Sequence, residues 1–181
     1  MKTKIMYFVH GTTTDNASKL CSGWKEAMLN DLGREQASNL GKTSLERNDK
    51  FDIVFTSDLK RAVESSKIAF PQYEKIQDRR LRECNYGDLD GEHKSLVVYQ
   101  DHITDDFPNG ESLKDVETRI RSFIQDVKEK YNGKTIAIVA HRAPQLALEV
   151  ILNNITWEEA IANDWRKTGD WKPGWEYIIN D

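Results

Sequence analysis

The 181-residue chain has little of several features that mark large functional classes. It has two cysteines, Cys21 and Cys84, far apart in sequence. That excludes a disulfide scaffold and a cysteine-built metal centre, and it fits a reducing compartment. No basic block stands out and the formal net charge is -4, which argues against nucleic acid or a membrane surface as the main partner. No apolar segment approaches membrane-spanning length. The apolar run after Met1-Lys2-Thr3-Lys4 is too short for a secretory signal, so the expected location is cytoplasmic. Repeats, low-complexity segments and linkers are missing too. A single domain over residues 1–181 is therefore expected, and 38% hydrophobic residues can supply one core.

What is present is an alternation of short β-branched or aromatic runs with helical patterns. Ile5-Met6-Tyr7-Phe8, Phe51 to Ser57 and Lys134 to Ala140 read as buried strands. Glu74 to Gln77 reads as a short one, and Trp171 to Ile179 as a turn and a final strand. Helices are expected from Asn30 or Asp31 to about Arg47 with Ala37, Leu40, Ser44 and Leu45 inward, and from Leu59 to Ala69 capped by Ser57 or Asp58. Ser112 and Asp115 form a capping box for the clearest helix, and further helices open at Ala143-Pro144 and Thr156, the last reaching about Lys167. The fold class is α/β: a three-layer sandwich with a mostly parallel central sheet and helices on both faces.

Three of the strands end in polar clusters. The first runs into Val9-His10-Gly11-Thr12-Thr13-Thr14-Asp15-Asn16, where glycine permits close approach of a ligand and the threonine and asparagine side chains add hydrogen-bonding groups. The second runs into Ser57-Asp58-Leu59-Lys60-Arg61, a strand-to-helix junction where the first helical turn offers free N–H groups and arginine a bidentate clamp. The third ends at His141-Arg142. Parallel strands bring these ends to one edge, where open α/β sheets bind ligands. Two histidines and an arginine then share a crevice. His93 and His102 read as surface residues, and Cys84 as a packed thiol. No His-x-x-x-His pair supports a metal site, and no metal or cofactor is expected.

In order along the chain, these motifs resemble the histidine phosphatase (phosphoglycerate mutase-like) superfamily. The carriers are His10-Gly11-Thr12-Thr13-Thr14-Asp15-Asn16, Ser22-Gly23-Trp24, Ser57-Asp58-Leu59-Lys60-Arg61-Ala62, Leu81-Arg82-Glu83, Tyr86-Gly87-Asp88-Leu89-Asp90-Gly91, Asn109-Gly110-Glu111-Ser112 and His141. The resemblance implies a phosphomonoester hydrolase working on a small phosphorylated metabolite through a phosphohistidine. His10 would be the nucleophile and Glu83 the acid–base group, with Arg61 and His141 stabilising the transferring group. Gly11, Thr13, Asn16, Ser22 and Gly23 would bind or frame the phosphate. The partner would be the small-molecule substrate alone, with the chain a monomer or homodimer. Two alternatives stand beside this reading: a relative of weak or no activity that binds phosphorylated ligands, and a phosphoglycerate mutase-type phosphotransferase. The short stretch between Glu83 and Ser112 leaves little room for the substrate-gripping insertion of the mutases.

The sequence departs from the resemblance in two places. The family's opening motif has arginine before the nucleophile, and Val9 stands there. The family usually has glycine after the second histidine, and Arg142 stands there. Arg142 is thus a candidate phosphate ligand, able to reach back from the neighbouring loop in place of the lost clamp; its alternative is solvent or a carboxylate such as Glu111. Four of the five tryptophans, Trp157, Trp165, Trp171 and Trp175, lie in the last quarter of the chain. They read as anchors of a helix on the sheet, or as a lid over the pocket.

Overall fold

A computed structural model describes residues 2–167 and 174–179. Trp171 and most of the turn expected after it lie outside the described residues. Among the described residues five strands form one sheet in the order β3-β2-β4-β1-β5: β1 Thr3–Val9, β2 Ile53–Thr56, β3 Lys75–Gln77, β4 Thr135–Ala140 and β5 Trp175–Ile179. The first four are mutually parallel, and β5 pairs antiparallel with β1 at the edge. Alternation along each strand sorts the core into two halves. Met6, Phe8, Val54, Ala137 and Val139 face one side with Leu40 and Phe70. Ile5, Tyr7, Phe55, Ile136 and Ile138 face the other with Val116, Ile120, Phe123 and Leu146. The three layers are therefore helix, sheet, helix.

The helices are α1 Thr14–Ala17, α2 Asp31–Glu46, α3 Lys60–Ala69, α4 Leu113–Lys130, α5 Arg142–Asn153 and α6 Trp157–Ala162. Local signals set most of their starts. Asn30 Oδ1 accepts the Gly33 N–H at the head of α2, and Ser112 with Asp115 closes a capping box on α4. Two expectations need correction. Leu45 is 68% exposed, because it lies about 100° beyond Ser44 around the helix and leaves the buried stripe of Ala37, Leu40, Gly41 and Ser44. The helix from Thr156 stops at Ala162, and Trp165–Lys167 form a separate 3₁₀ turn after Asp164. That break places Asp164 and Arg166 at the site described below.

The loop after β1 lies backbone to backbone on the start of α2. A Cβ on Gly33 would fall 2.0 Å from the Thr12 carbonyl oxygen, and one on Gly11 would fall 2.2 Å from the Gly33 carbonyl oxygen. Only glycine fits either position, since no flexible side chain can yield. Gly33→Ala should lose stability by roughly 2–4 kcal/mol despite alanine's better helix propensity. Urea unfolding checks this, and a variant as stable as the parent would show that the two backbones separate at little cost.

Candidate active site

Adjacent parallel pairing sets the site. Val9 faces Ala140 in register, and the His10 N–H donates to the Ala140 carbonyl at 3.0 Å. The next residues on the two strands, His10 and His141, thus stand side by side with ring centroids 5.0 Å apart. The Ser57 N–H donates to the Val139 carbonyl, bringing the third strand end to the same edge. A cavity of about 570 Å³ opens there. His10, Gly11, Asn16, Ser22, Arg61, Glu83 and Arg142 line it. Gln36, Ser65, Lys94, Trp165, Arg166 and Lys167 add to its wall.

His10 is half-buried, its ring open to the cavity. Its Nδ1 lies 2.7 Å from the Gly11 carbonyl oxygen, which can only accept, so Nδ1 carries the proton and Nε2 keeps a lone pair. Burial first, and the Arg61 charge next, push the imidazole down to about 3, with Arg166 adding to the effect. The neutral nucleophilic form is therefore present across the physiological range. The Gly11 N–H donates to Ser65 Oγ, and the Thr12 N–H and hydroxyl both donate to Gln36 Oε1, which fixes the loop under the ring.

His141 is fully buried behind His10 and forms no part of the cavity wall. Neither of its ring nitrogens has a hydrogen-bond partner among the described residues. Burial and the Arg61 charge hold it well below the usual histidine range. Its backbone is pinned by Tyr7, whose hydroxyl donates to the His141 carbonyl at 2.7 Å and accepts the His141 N–H at 3.0 Å. Both histidines are thus neutral in the fold and titrate near 6.5 when unfolded. Above that value their contribution is complete. Below it only the unfolded chain takes up the protons, and stability falls by up to about 1.4 kcal/mol per pH unit for each histidine. Urea unfolding between pH 7 and 5 should show this loss, and His141→Asn should remove part of the slope. A flat profile over that interval would contradict the neutral pair.

Arg61 is 1% exposed. Its Nη2 donates to the carbonyls of Ser22 and Gly23, and its Nη1 to that of Lys25. Three of five donors are thus engaged with backbone, and the guanidinium is locked at the cavity wall. Gly23 itself is buried and away from the cavity; its carbonyl positions Arg61, and its N–H donates to Asp90. Thr13 is likewise away from the wall. Its hydroxyl accepts the Asn16 N–H while Asn16 Oδ1 accepts the Thr13 N–H, a capping box on α1. Thr13 and Asn16 therefore frame the loop, one of the two roles the resemblance allowed, and neither Thr13 nor Gly23 lies in the cavity wall. Asn16 lines the cavity with its side-chain NH₂ group outside the capping box.

Two of the N–H groups at the start of α3 already have side-chain partners. Ser57 Oγ accepts the Leu59 N–H and Glu26 accepts the Lys60 N–H. Asp58, the other expected cap, forms a bidentate pair with Arg82. A further carboxylate sits at the start of α5. Glu83 Oε1 accepts the N–H groups of Cys84 and Ala143, and Oε2 accepts that of Arg142. This ties the carboxylate to the residues directly after His141. Trp24 Nε1 and Arg119 Nη2 both donate to the Glu83 carbonyl and hold its backbone.

Arg142 reaches the cavity wall, but its Nε donates to Asp164 at 2.6 Å and its guanidinium lies 4.2 Å from the Tyr99 ring centre. Glu111 pairs with Arg119. Asp164, Arg166 and Tyr7 escaped the sequence reading; the one available signal was Asp164-Trp165-Arg166-Lys167, charge and aromatic together. Among the described residues no three His, Cys, Asp or Glu side chains are placed to hold a metal ion, and no helix is long and apolar enough to cross a membrane.

The profile of the histidine phosphatase superfamily (branch 1) matches residues 6–169. The chain belongs to that superfamily. A histidine phosphatase relative, the 2,3-bisphosphoglycerate-dependent phosphoglycerate mutase of Bartonella tribocorum, is 32% identical, the match covering 86% of this chain and 84% of the mutase. The phosphoglycerate mutase of Schizosaccharomyces pombe is 30% identical over 86% and 82%. Among solved structures, the alpha-ribazole phosphatase of Shigella flexneri superposes with a TM-score of 0.77 at 26% identity, covering 88% and 84%. The phosphoglycerate mutase-like fold is thus common to hydrolases and mutases of the superfamily.

Proposed function

We propose that this chain is a phosphomonoester hydrolase that passes the phosphoryl group through His10. The observation that carries the reading is the cavity itself: a half-buried imidazole with its Nε2 lone pair available, beside a locked arginine and a tethered carboxylate. His10 Nε2 attacks phosphorus and the bond to the ester oxygen breaks. Glu83, protonated at this stage, gives its proton to the leaving oxygen. Water then attacks the phosphohistidine, Glu83 takes the water's proton, and His10 and inorganic phosphate are released. Arg61 bears on the oxygens of the transferring group, and the buried His141 ring beside His10 has nitrogens with no hydrogen-bond partner among the described residues.

The hydrolase reading is favoured over the mutase reading by residues 84–111. These form short 3₁₀ turns, Gly87–Leu89, Lys94–Leu96 and Tyr99–His102, and bring Tyr86, Lys94 and Val97 to the cavity wall. The mutase reading keeps one observation of its own, the names of the relatives above. The test is a panel of phosphomonoesters assayed without added metal, beside an assay for transfer between phosphoglycerates. Phosphate release with no isomerised product supports the hydrolase. Isomerisation faster than release would replace it with the mutase.

A further inference from the structure

Arg166 has the placement of a phosphoryl ligand, although it lies far in sequence from every motif that identifies the site. Asp164, whose side chain is fully buried, holds two guanidinium groups at once. Its Oδ2 accepts from Arg142 Nε at 2.6 Å, and its Oδ1 accepts from Arg166 Nη1 at 2.9 Å and from the Arg166 N–H at 3.1 Å. One carboxylate neutralises one of the two charges, so the group carries a net positive charge into the cavity that both arginines line. Arg166 also lies over the rings of Trp165 and Trp175, 4.8 and 5.9 Å from their centres. It is thus fixed on three sides.

Its Nη2, however, is buried with no hydrogen-bond partner among the described residues. A charged donor left so is costly unless an acceptor arrives. Val9, also in the wall, brings no charge to the nucleophile's side of the cavity. Taking the phosphoryl-transfer reading above as its basis, we propose that Arg166, presented by Asp164, is a second arginine ligand of the transferring phosphoryl group, working opposite Arg61. Arg142, the other arm of the fork, then serves the part of the substrate that is not transferred. The two arms are distinguished electrostatically: the Arg166 charge acts on His10, whereas Arg142 acts on Tyr99 and Tyr86.

The experiment compares the parent with Arg166→Ala, Arg166→Gln and Arg142→Ala, using p-nitrophenyl phosphate turnover and inhibition by orthovanadate. Loss of Arg166 is expected to lower kcat by roughly 10²-fold and to weaken orthovanadate by a similar factor, as for removal of an oxyanion ligand. Loss of Arg142 should act mainly on KM. Arg166→Gln keeps a planar donor against the tryptophans without the charge and should show the same loss, so it decides the matter if the alanine variant does not fold. Val9→Arg added to Arg166→Gln should restore part of the turnover. Parent-like kcat and orthovanadate inhibition in Arg166→Gln would overturn the proposal while leaving the hydrolase reading intact. A parent protein that neither turns over nor binds orthovanadate would overturn the hydrolase reading first, and with it this one.

Discussion

His10→Ala is expected to lower turnover of any phosphomonoester substrate by roughly 10⁴-fold or more, because it removes the only covalent route through the site. The structure separates this loss from damage to the fold. The His10 side chain contributes one hydrogen bond, to its neighbour's carbonyl, and its ring faces the cavity. The strand and loop around it are held by backbone groups: the His10 N–H on Ala140, the Gly11 N–H on Ser65 and the Thr12 N–H on Gln36. Alanine disturbs none of them. Its unfolding midpoint in urea should therefore match the parent at pH 7 and exceed it near pH 5, where a half-buried imidazole held neutral no longer opposes folding. Appreciable turnover by the purified variant would remove His10 from the chemistry.

Glu83→Gln carries the second large effect, and the expected loss depends on the leaving group. An alkyl phosphate, whose departing oxygen must be protonated, should slow by roughly 10²–10⁴-fold, while p-nitrophenyl phosphate should slow far less. The substitution also has a structural cost. The carboxylate accepts three N–H groups, and the amide NH₂ cannot accept the one on Oε2, that of Arg142. That leaves one donor at the start of α5 unpaired, worth about 1–3 kcal/mol. A residue that only anchored α5 would slow both substrates alike. The ratio of the two rates thus distinguishes acid catalysis from anchoring, and equal losses would assign Glu83 to the scaffold.

The residues best read from sequence are those whose signal is local. Strand ends, the Ser112–Asp115 box and the Asn30 cap are written in a few consecutive residues, and the parallel topology then brings His10, Arg61 and His141 together. What was illegible depends on contacts between distant segments. Thr13 and Gly23 sit in motifs that resemble the family's, yet their groups are engaged by Asn16, Arg61 and Asp90, and no local pattern distinguishes framing a loop from touching a ligand. The α3 start appeared open because Glu26, its cap, lies a whole helix earlier in the chain. Arg142 was placed at the cavity correctly, but its partner Asp164 depends on where α6 stops. The tryptophans divide by the same logic. Trp157 is buried with its Nε1 on Glu117, Trp175 meets Tyr7 edge to face, and Trp165 lines the cavity.

The central claim is that the phosphoryl group rests on His10 between the two halves of the reaction. A rapid acid-free quench of the parent protein mixed with excess substrate, followed by intact-mass analysis and peptide mapping under alkaline conditions, observes that state directly. The account expects one added phosphoryl group per chain, on the peptide containing His10, stable to alkali and lost on brief acid treatment. It should be absent from His10→Ala and should accumulate in Glu83→Gln with an activated ester, where water attack lacks its base. Substrate turnover by the parent with no phosphorylated peptide in either protein, or with the group on another residue, would contradict the account.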